Sequence, residues 1–354
     1  MRKKITLVFS ALLILSLCSF SIAGDGCKDC EGEECTCLAL KDVKLTLHGN
    51  FQSQFMMKIS EDDDLGPNDQ FRMYRARLLL KGEVIPDKVY LVTQFEMNAE
   101  NALRDFKFIY AGLPLNTYVA FGRMKPNFTY YMPRNTAKLD FIHYPLMVQA
   151  YGMGWQMGVQ TTSKISGVKI NLGIFNGQHK PDNYTDTDKY KDLFFRGDYK
   201  MPVGPGKLMV GAYGWMGSTA FGDDKLTNSR YGFVGGYGFG SLDIKGEYLM
   251  ATDEQAVGDD VKGNSFYVQA AYRCWEEKIG TLVRFETLDM NTDMDDDERT
   301  WTTLGVNYYM NSWKTMFYLN YMMRDNADNV VMPAVPTYMD GLNDIFMFQA
   351  QIAF

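Results

Sequence analysis

The sequence predicts an all-β chain that closes as a transmembrane antiparallel β-barrel of sixteen strands, with a short Cys-rich N-terminal extension. Three observations predict it. No run of about 18 apolar residues occurs after the N-terminus, so helices are not the spanning elements. Short stretches rich in β-branched and aromatic residues recur along the whole chain, with side chains alternating at a period of two. The last stretch, Ile345 to Phe354, puts Phe346, Phe348, Ala350, Ile352 and Phe354 on one face and Met347, Gln349 and Gln351 on the other. A strand so apolar on one side is an aggregation hazard in water. In a membrane barrel that face meets lipid, and Phe354 is expected to serve as the signal that assembly machinery reads.

The N-terminus has the form of an export leader. Arg2, Lys3 and Lys4 precede a mostly apolar stretch from Ile5 to Leu17, and Ser21-Ile22-Ala23 offers small residues for cleavage. Residues 1–23 are therefore expected to be a signal peptide, residues 24–42 a Cys-rich periplasmic segment, and residues 43–354 the barrel. Leu17 stands before Cys18 where a lipoprotein signal needs a small residue.

Cys27, Cys30, Cys35 and Cys37 follow the pattern C-x₂-C-x₄-C-x-C. Disulfide pairing suits an exported, oxidised segment. Ligation of a metal or an iron–sulfur cluster is the other reading of the spacing. Glu31 occupies the position where a c-type haem motif needs histidine. No cofactor is expected in the barrel itself.

The strands follow in order. Val43–Met57 alternates Leu45, Leu47, Phe51 and Phe55 outward with Lys44, Thr46, His48, Asn50, Gln52 and Gln54 inward. Phe71–Val84 turns Tyr74, Ala76, Leu78 and Leu80 outward, and Arg75, Arg77 and Lys81 inward. Further strands are read at Val89–Met97, Arg104–Gly112, Thr117–Met124, Gly152–Thr162, Val168–Phe175, Asp192–Met201 and Lys207–Met216. The remainder are Arg230–Phe239, Leu242–Ala251, Ser265–Cys274, Ile279–Leu288, Trp301–Tyr309, Lys314–Arg324 and Asp344–Phe354. That spacing leaves ample room for tilted strands of about 9–11 residues.

Short turns such as Pro86-Asp87, Pro114-Leu115 and Gly240-Ser241 alternate with longer polar loops, among them Gly217–Ser229 and Asp289–Arg299. This is the rhythm of periplasmic turns and outer loops. Lys125–Tyr151 stands apart. It is long and carries Phe128, Tyr130, Tyr131, Phe141, Tyr144 and Tyr151, too much apolar surface to lie in water. It is expected to fold into the lumen as a constriction, with Lys125, Arg134, Lys138 and Tyr144 as its chemically active positions.

The pleat also assigns the lumen's charge. Arg75, Arg77, Lys81, Lys107, Arg123, Lys169, Arg196, Lys245, Arg284 and Arg324 are read as facing inward, with Lys200 and Arg273. Glu83, Glu96, Asp105, Asp198, Asp243, Glu247 and Glu286 oppose them. Basic side chains in a pore attract anions, and arginine holds phosphate or carboxylate in a two-pronged grip. Cross-lumen pairing, such as Arg284 with Glu286, is the competing reading.

The formal charge of −7 excludes a nucleic-acid partner of the usual basic kind. Acidic runs such as Asp295-Asp296-Asp297-Glu298 fall in loops, where divalent cations would bridge them to lipopolysaccharide phosphates. His48, His143 and His179 are scattered, and no nucleophile elbow or phosphate loop is present.

Several segments together carry a family likeness. Phe71-Arg-Met-Tyr-Arg-Ala-Arg-Leu78 with Gly82, Phe121-Gly-Arg-Met-Lys-Pro-Asn-Phe128, Gly173-Ile-Phe-Asn-Gly177, Lys191-Asp192 with Arg196 and Pro202, Tyr267–Tyr272, Arg284-Phe-Glu286 and Gly305–Tyr308 occur in that order. The chain resembles the phosphate-selective porin O/P family over nearly all of residues 43–354. Asn127 interrupts that family's Pro-Phe element. The resemblance implies a sixteen-stranded channel in the outer membrane of a Gram-negative bacterium, commonly a homotrimer, passing small anions such as phosphate. A barrel sheathing a periplasmic cytochrome is the alternative that the cysteines raise, and an outer-membrane enzyme is a third.

Overall fold

The computed structural model describes residues 43–59, 69–177, 186, 188–222, 224–326 and 344–354. The signal peptide and Cys27, Cys30, Cys35 and Cys37 lie outside the described residues.

Sixteen strands form one closed antiparallel barrel. They are β1 (Lys44–Ile59), β2 (Asp69–Ile85), β3 (Val89–Glu96), β4 (Leu103–Leu113), β5 (Thr117–Met124), β6 (Gln156–Ile165), β7 (Val168–Phe175) and β8 (Asp192–Val203). They continue as β9 (Gly206–Phe221), β10 (Asp224–Phe239), β11 (Leu242–Asp253), β12 (Val261–Cys274), β13 (Ile279–Asp289), β14 (Arg299–Asn311), β15 (Thr315–Asn326) and β16 (Asp344–Ala353). Each strand pairs with its neighbours in sequence, and β16 returns to β1, so every ladder is satisfied within the sheet. That closure is what a hydrocarbon environment demands of backbone polar groups.

Alternation gives the two surfaces opposite chemistry. Leu45, Leu47, Phe106, Phe108, Phe121, Leu172, Ile174, Phe233, Val268, Leu304, Phe348 and Ile352 are exposed on the outside, a belt suited to lipid. Gln52, Gln54, Asn171, Gln269, Thr303, Asn307, Gln349 and Gln351 are buried on the inside. The tight turns use left-handed backbone: Leu115 and Asn116 in succession, then Ser166 with Gly167. Such pairs match the twist of the strands they join.

Three sequence expectations are corrected. The segment read as the loop Gly217–Ser229 is mostly strand, since Gly217 pairs with Asn228 and Phe221 with Asp224. β6 begins at Gln156 rather than Gly152. Gly152 instead closes a short helix, its N–H donating to the Val148 carbonyl. Tyr74 does not face outward. A bulge between Gln52 and Ser53 sets Ser53 opposite Met73 and leaves Tyr74 as the extra residue, which turns into the barrel.

Candidate functional site: the lumen and the loop that crosses it

The loop between β5 and β6 does fold inward. It contains a single 3₁₀ turn at Thr136–Lys138 and the helix α1 (Leu146–Tyr151). It crosses the lumen rather than lying along one wall. Near its start, the Asn127 N–H donates to Gln160 Oε1 on β6 at 2.8 Å, and the Tyr130 N–H to Glu247 Oε1 on β11 at 2.8 Å. At its turn, Thr136 Oγ1 accepts from Asn50 on β1 at 2.9 Å. At Asp140, one carboxylate oxygen accepts from Tyr131 at 2.8 Å, Gln269 at 2.9 Å and Lys245 at 3.1 Å. Further along, the N–H of Ile142 donates to Asn320 at 3.0 Å and that of Leu146 to Glu286 at 2.7 Å.

Apolar packing reinforces these latches. Phe128, Tyr131, Leu139, Ile142, Leu146, Met147 and Val148 are buried against inward Phe175, Tyr213, Trp215, Tyr267 and Trp301. Phe128 meets Tyr213 and Trp215 edge-on, with ring centroids 5.0 and 5.7 Å apart. These contacts make an apolar core between the loop and the β7–β14 side.

The β2–β6 side is different. Trp155, just before β6, has the cations of Lys125, Arg104 and Arg77 at 4.3, 4.8 and 5.3 Å from its ring. Its indole N–H points to Asp105 Oδ2 at 3.4 Å. Lys107 pairs with Asp105 at 2.9 Å, and Arg77 pairs with Glu96. Lys125 also donates to the Tyr144 hydroxyl at 3.1 Å, and Arg75 lies 4.1 Å from the Tyr74 ring centroid. Arg77, Asp105, Lys107, Lys125, Arg134 and Trp155 share one cavity of about 260 Å³. On this side Arg72 donates to Gln54 at 2.6 Å and Arg75 to Gln52 at 2.7 Å, while Arg104 lies 4.0 Å from Glu96.

Other sequence-read positions serve the loop instead. Arg196 grips Asp198 through Nε at 2.9 Å and Nη2 at 2.7 Å, and its Nη1 donates to the Thr129 carbonyl. Arg284 pairs with Glu286 at 3.0 Å, as the competing reading held, and donates to the His143 carbonyl at 3.2 Å. Lys245 bridges Asp140 and Asp243 at 3.1 and 2.7 Å. Arg324 lies 5.7 Å from the Trp301 ring. Lys81 sits 4.3 Å from the Tyr90 ring at the short-turn end, and Lys138 is exposed beside the cavity lined by His48 and Phe354. Lys169 and Arg134 line a separate cavity with Lys164 and Lys200. Arg123 departs from expectation. It is buried with its Nε on the Leu103 carbonyl, and its Cα is in register with outward Phe106. Gly122 precedes it with a φ of 124°, a backbone that breaks the alternation.

His143 is buried, with Nδ1 2.8 Å from the Tyr74 hydroxyl and Nε2 3.1 Å from Met347 Sδ. Burial, with the charges of Arg72, Arg75, Arg284 and Arg324, holds its imidazole well below the usual range, so it is neutral at physiological pH. Burial pushes the Asp140 carboxyl up. Lys245 and the hydrogen bonds outweigh that and leave it lowered.

The sequence missed Arg72, Arg104, Lys164, Arg230, Arg299 and Trp155. Arg104 is the extra residue of a second bulge, where Gln94 opposes Asp105 and Phe95 opposes Leu103. A period-two count has no means of seeing either bulge. Arg230 opens the strand read from the sequence, but its partner Asp253, at 2.7 Å, lies in the two residues by which β11 extends beyond Ala251.

No family model and no curated protein matches this chain in sequence. Solved structures do match it in fold. An anion-selective porin from Comamonas acidovorans superposes with a TM-score of 0.63 at 15% identity, covering 88% of this chain and 100% of that one. The outer membrane channel DcaP of Acinetobacter baumannii gives 0.61 at 14%, covering 89% and 98%. OmpT, an outer membrane protein of Vibrio cholerae in its trimer form, gives 0.61 at 14%, covering 88% and 99%. The chain thus has the sixteen-stranded fold of outer-membrane porins.

Proposed function

We propose that this barrel is an outer-membrane diffusion channel for small hydrophilic solutes, with a preference for anions. The observation that carries the proposal is the uneven wall beside the loop. Arg77, Arg104 and Lys125 gather around Trp155, and Lys107 lines the same cavity, with Glu96 and Asp105 pairing there, while an apolar core fills the space between the loop and β7–β14. A narrow path with fixed positive charge and low-dielectric walls concentrates anions. The short turns are assigned to the periplasm and the long loops to the cell surface. The anion-selective Comamonas porin of like fold supports the reading, and the trimeric OmpT supports a homotrimer.

Phosphate is one solute among those this wall would pass. The resemblance to the phosphate-selective O/P family remains part of the proposal, without a residue-by-residue phosphate site. The cytochrome-sheath reading fits less well, because the chain's own loop already spans the lumen from β6 to β1 and β15. A domain-sized partner has no space there.

Reversal potentials in planar bilayers under a potassium chloride gradient test the proposal. Chloride is expected to be the more permeant ion. A potassium-selective current would overturn the anion preference.

A further inference from the structure

Inward positions of a water-filled barrel are ordinarily polar. On β2, β4 and β5 three of them carry apolar or aromatic side chains instead. Leu79, Ile109 and Tyr118 line the cavity of about 260 Å³ that also holds Trp155, Lys107 and Lys125. The register fixes that facing. Leu79 is opposite inward Gln94, Ile109 is opposite inward Ala120, and Tyr118 is opposite inward Thr162.

Packing against the crossing loop explains only part of this surface. Ala120 is buried, and Ile109 packs on the core that the loop builds. Leu79 and Tyr118 stay half-buried and lie outside that core. Apolar surface left open to a lumen marks a place where something binds. The cations beside it have a regular placement. Arg77 precedes Leu79 by two residues on β2, and Lys107 precedes Ile109 by two on β4. Each cation thus shares a face with its apolar neighbour and stands about 6.5 Å nearer the long loops. Arg77 is paired with Glu96, and Lys107 with Asp105 at 2.9 Å. Lys125 donates to the Tyr144 hydroxyl at 3.1 Å and forms no ion pair among the described residues.

We propose that this cavity selects monocarboxylates with an apolar body, an aromatic ring or a short alkyl chain, over phosphate and acetate. The carboxylate is held beside Lys125, with Lys107 adding charge, and the body lies on Leu79, Ile109 and Tyr118. One ring with its carboxylate covers the single step between cation and apolar side chain. The volume is just below the roughly 300–1,000 Å³ of drug-sized sites, which suits one ring rather than a fused pair. Phosphate gains nothing from the apolar side chains and loses hydration against them. Access is open from the short-turn side, because Arg77, Leu79 and Gln94 also line the cavity beside His48 and Phe354. The inference rests on the channel reading, which supplies the reason for an anion to meet this wall.

The test measures block of single-channel current in potassium chloride by benzoate, acetate and inorganic phosphate, each added on the short-turn side at matched ionic strength. Benzoate is expected to block at concentrations at least ~10-fold below acetate and phosphate. Leu79→Asn with Ile109→Thr is expected to close most of that gap, and heat-modifiable migration establishes that the variant is a folded barrel. The series acetate, butyrate and hexanoate reads the same surface in the parent without any substitution. Its half-blocking concentration is expected to fall ~2–4-fold per added methylene. Equal block by benzoate and acetate, a flat series, or a gap that survives the double variant overturns the inference. Those outcomes leave the channel reading intact when the same channels pass chloride in preference to potassium. A benzoate gap in a potassium-selective channel would overturn the anion reading and leave the apolar site standing.

Discussion

Trp155 holds three cations on one indole, at 4.3, 4.8 and 5.3 Å. Each such contact is worth roughly 0.5–2 kcal/mol, and together they keep Lys125, Arg104 and Arg77 close despite mutual repulsion. Trp155→Ala removes the ring and a large volume from the narrow side. Single-channel conductance is expected to rise, and the chloride-to-potassium permeability ratio to fall. Trp155→Phe restores most of the ratio, because the aromatic face remains. An alanine variant with parental selectivity would refute this role. Arg284 and Glu286 make a second residue-level case. Both are 1% exposed, and Glu286 also receives the Leu146 N–H of the loop. Glu286→Ala alone strands a buried guanidinium and is expected to cost about 3–5 kcal/mol, whereas Arg284→Met with Glu286→Leu costs much less. Guanidinium unfolding in detergent measures both. A double variant as unstable as the single would refute the pairing account.

At the scale of the element, the crossing loop carries its own pH dependence. His143 faces the Tyr74 hydroxyl, Met347 and the charges of Arg72, Arg75, Arg284 and Arg324. Its folded pKa lies below its unfolded value of about 6.5, so the unfolded loop binds the extra proton first. The docked state is thus fully stabilised above about pH 6.5 and weakens as pH falls from there towards the depressed value. Asp140, itself lowered, begins to protonate only below the ordinary carboxylate range. Gating events in single-channel traces are expected to increase as pH drops from about 6.5 to 5. His143→Gln should flatten that dependence, and an unchanged profile would exclude His143 as its source. The sixteen strands around this loop were legible because lipid and lumen impose a strict alternation. The loop's inward course was legible from its aromatics. Its latches were not, since Asn50, Gln160 and Glu247 lie far away in sequence. Tyr74 and Arg104 were misassigned or missed because a bulge inverts facing without leaving any mark in composition.

The whole molecule depends on one seam. β1 and β16 pair from Asn50 with Ala353 to Ile59 with Asp344. Gly49 and Phe354 then extend the ladder by exchanging hydrogen bonds of 3.0 and 3.1 Å. The Phe354 ring lies over Gly49, where any Cβ would overlap it, and its centroid is 6.3 Å from that of Phe51. A side chain at 49 would have to displace that ring. An unclosed barrel exposes two strand edges to hydrocarbon, where each unpaired backbone group costs several kcal/mol, so closure separates membrane-inserted protein from aggregate. Gly49→Leu is expected to lower the yield of folded barrel several-fold by forcing the ring aside. The Phe354→Ala substitution in the same chain should recover part of that yield, since it removes the clash. If instead Phe354 acts chiefly as the signal for assembly machinery, Phe354→Ala alone fails in cells but refolds normally from denaturant into detergent micelles. Comparing membrane yield with refolding yield for the three variants separates seam packing from recognition. Parental refolding of Gly49→Leu would show that the ring's approach to Gly49 does not limit closure.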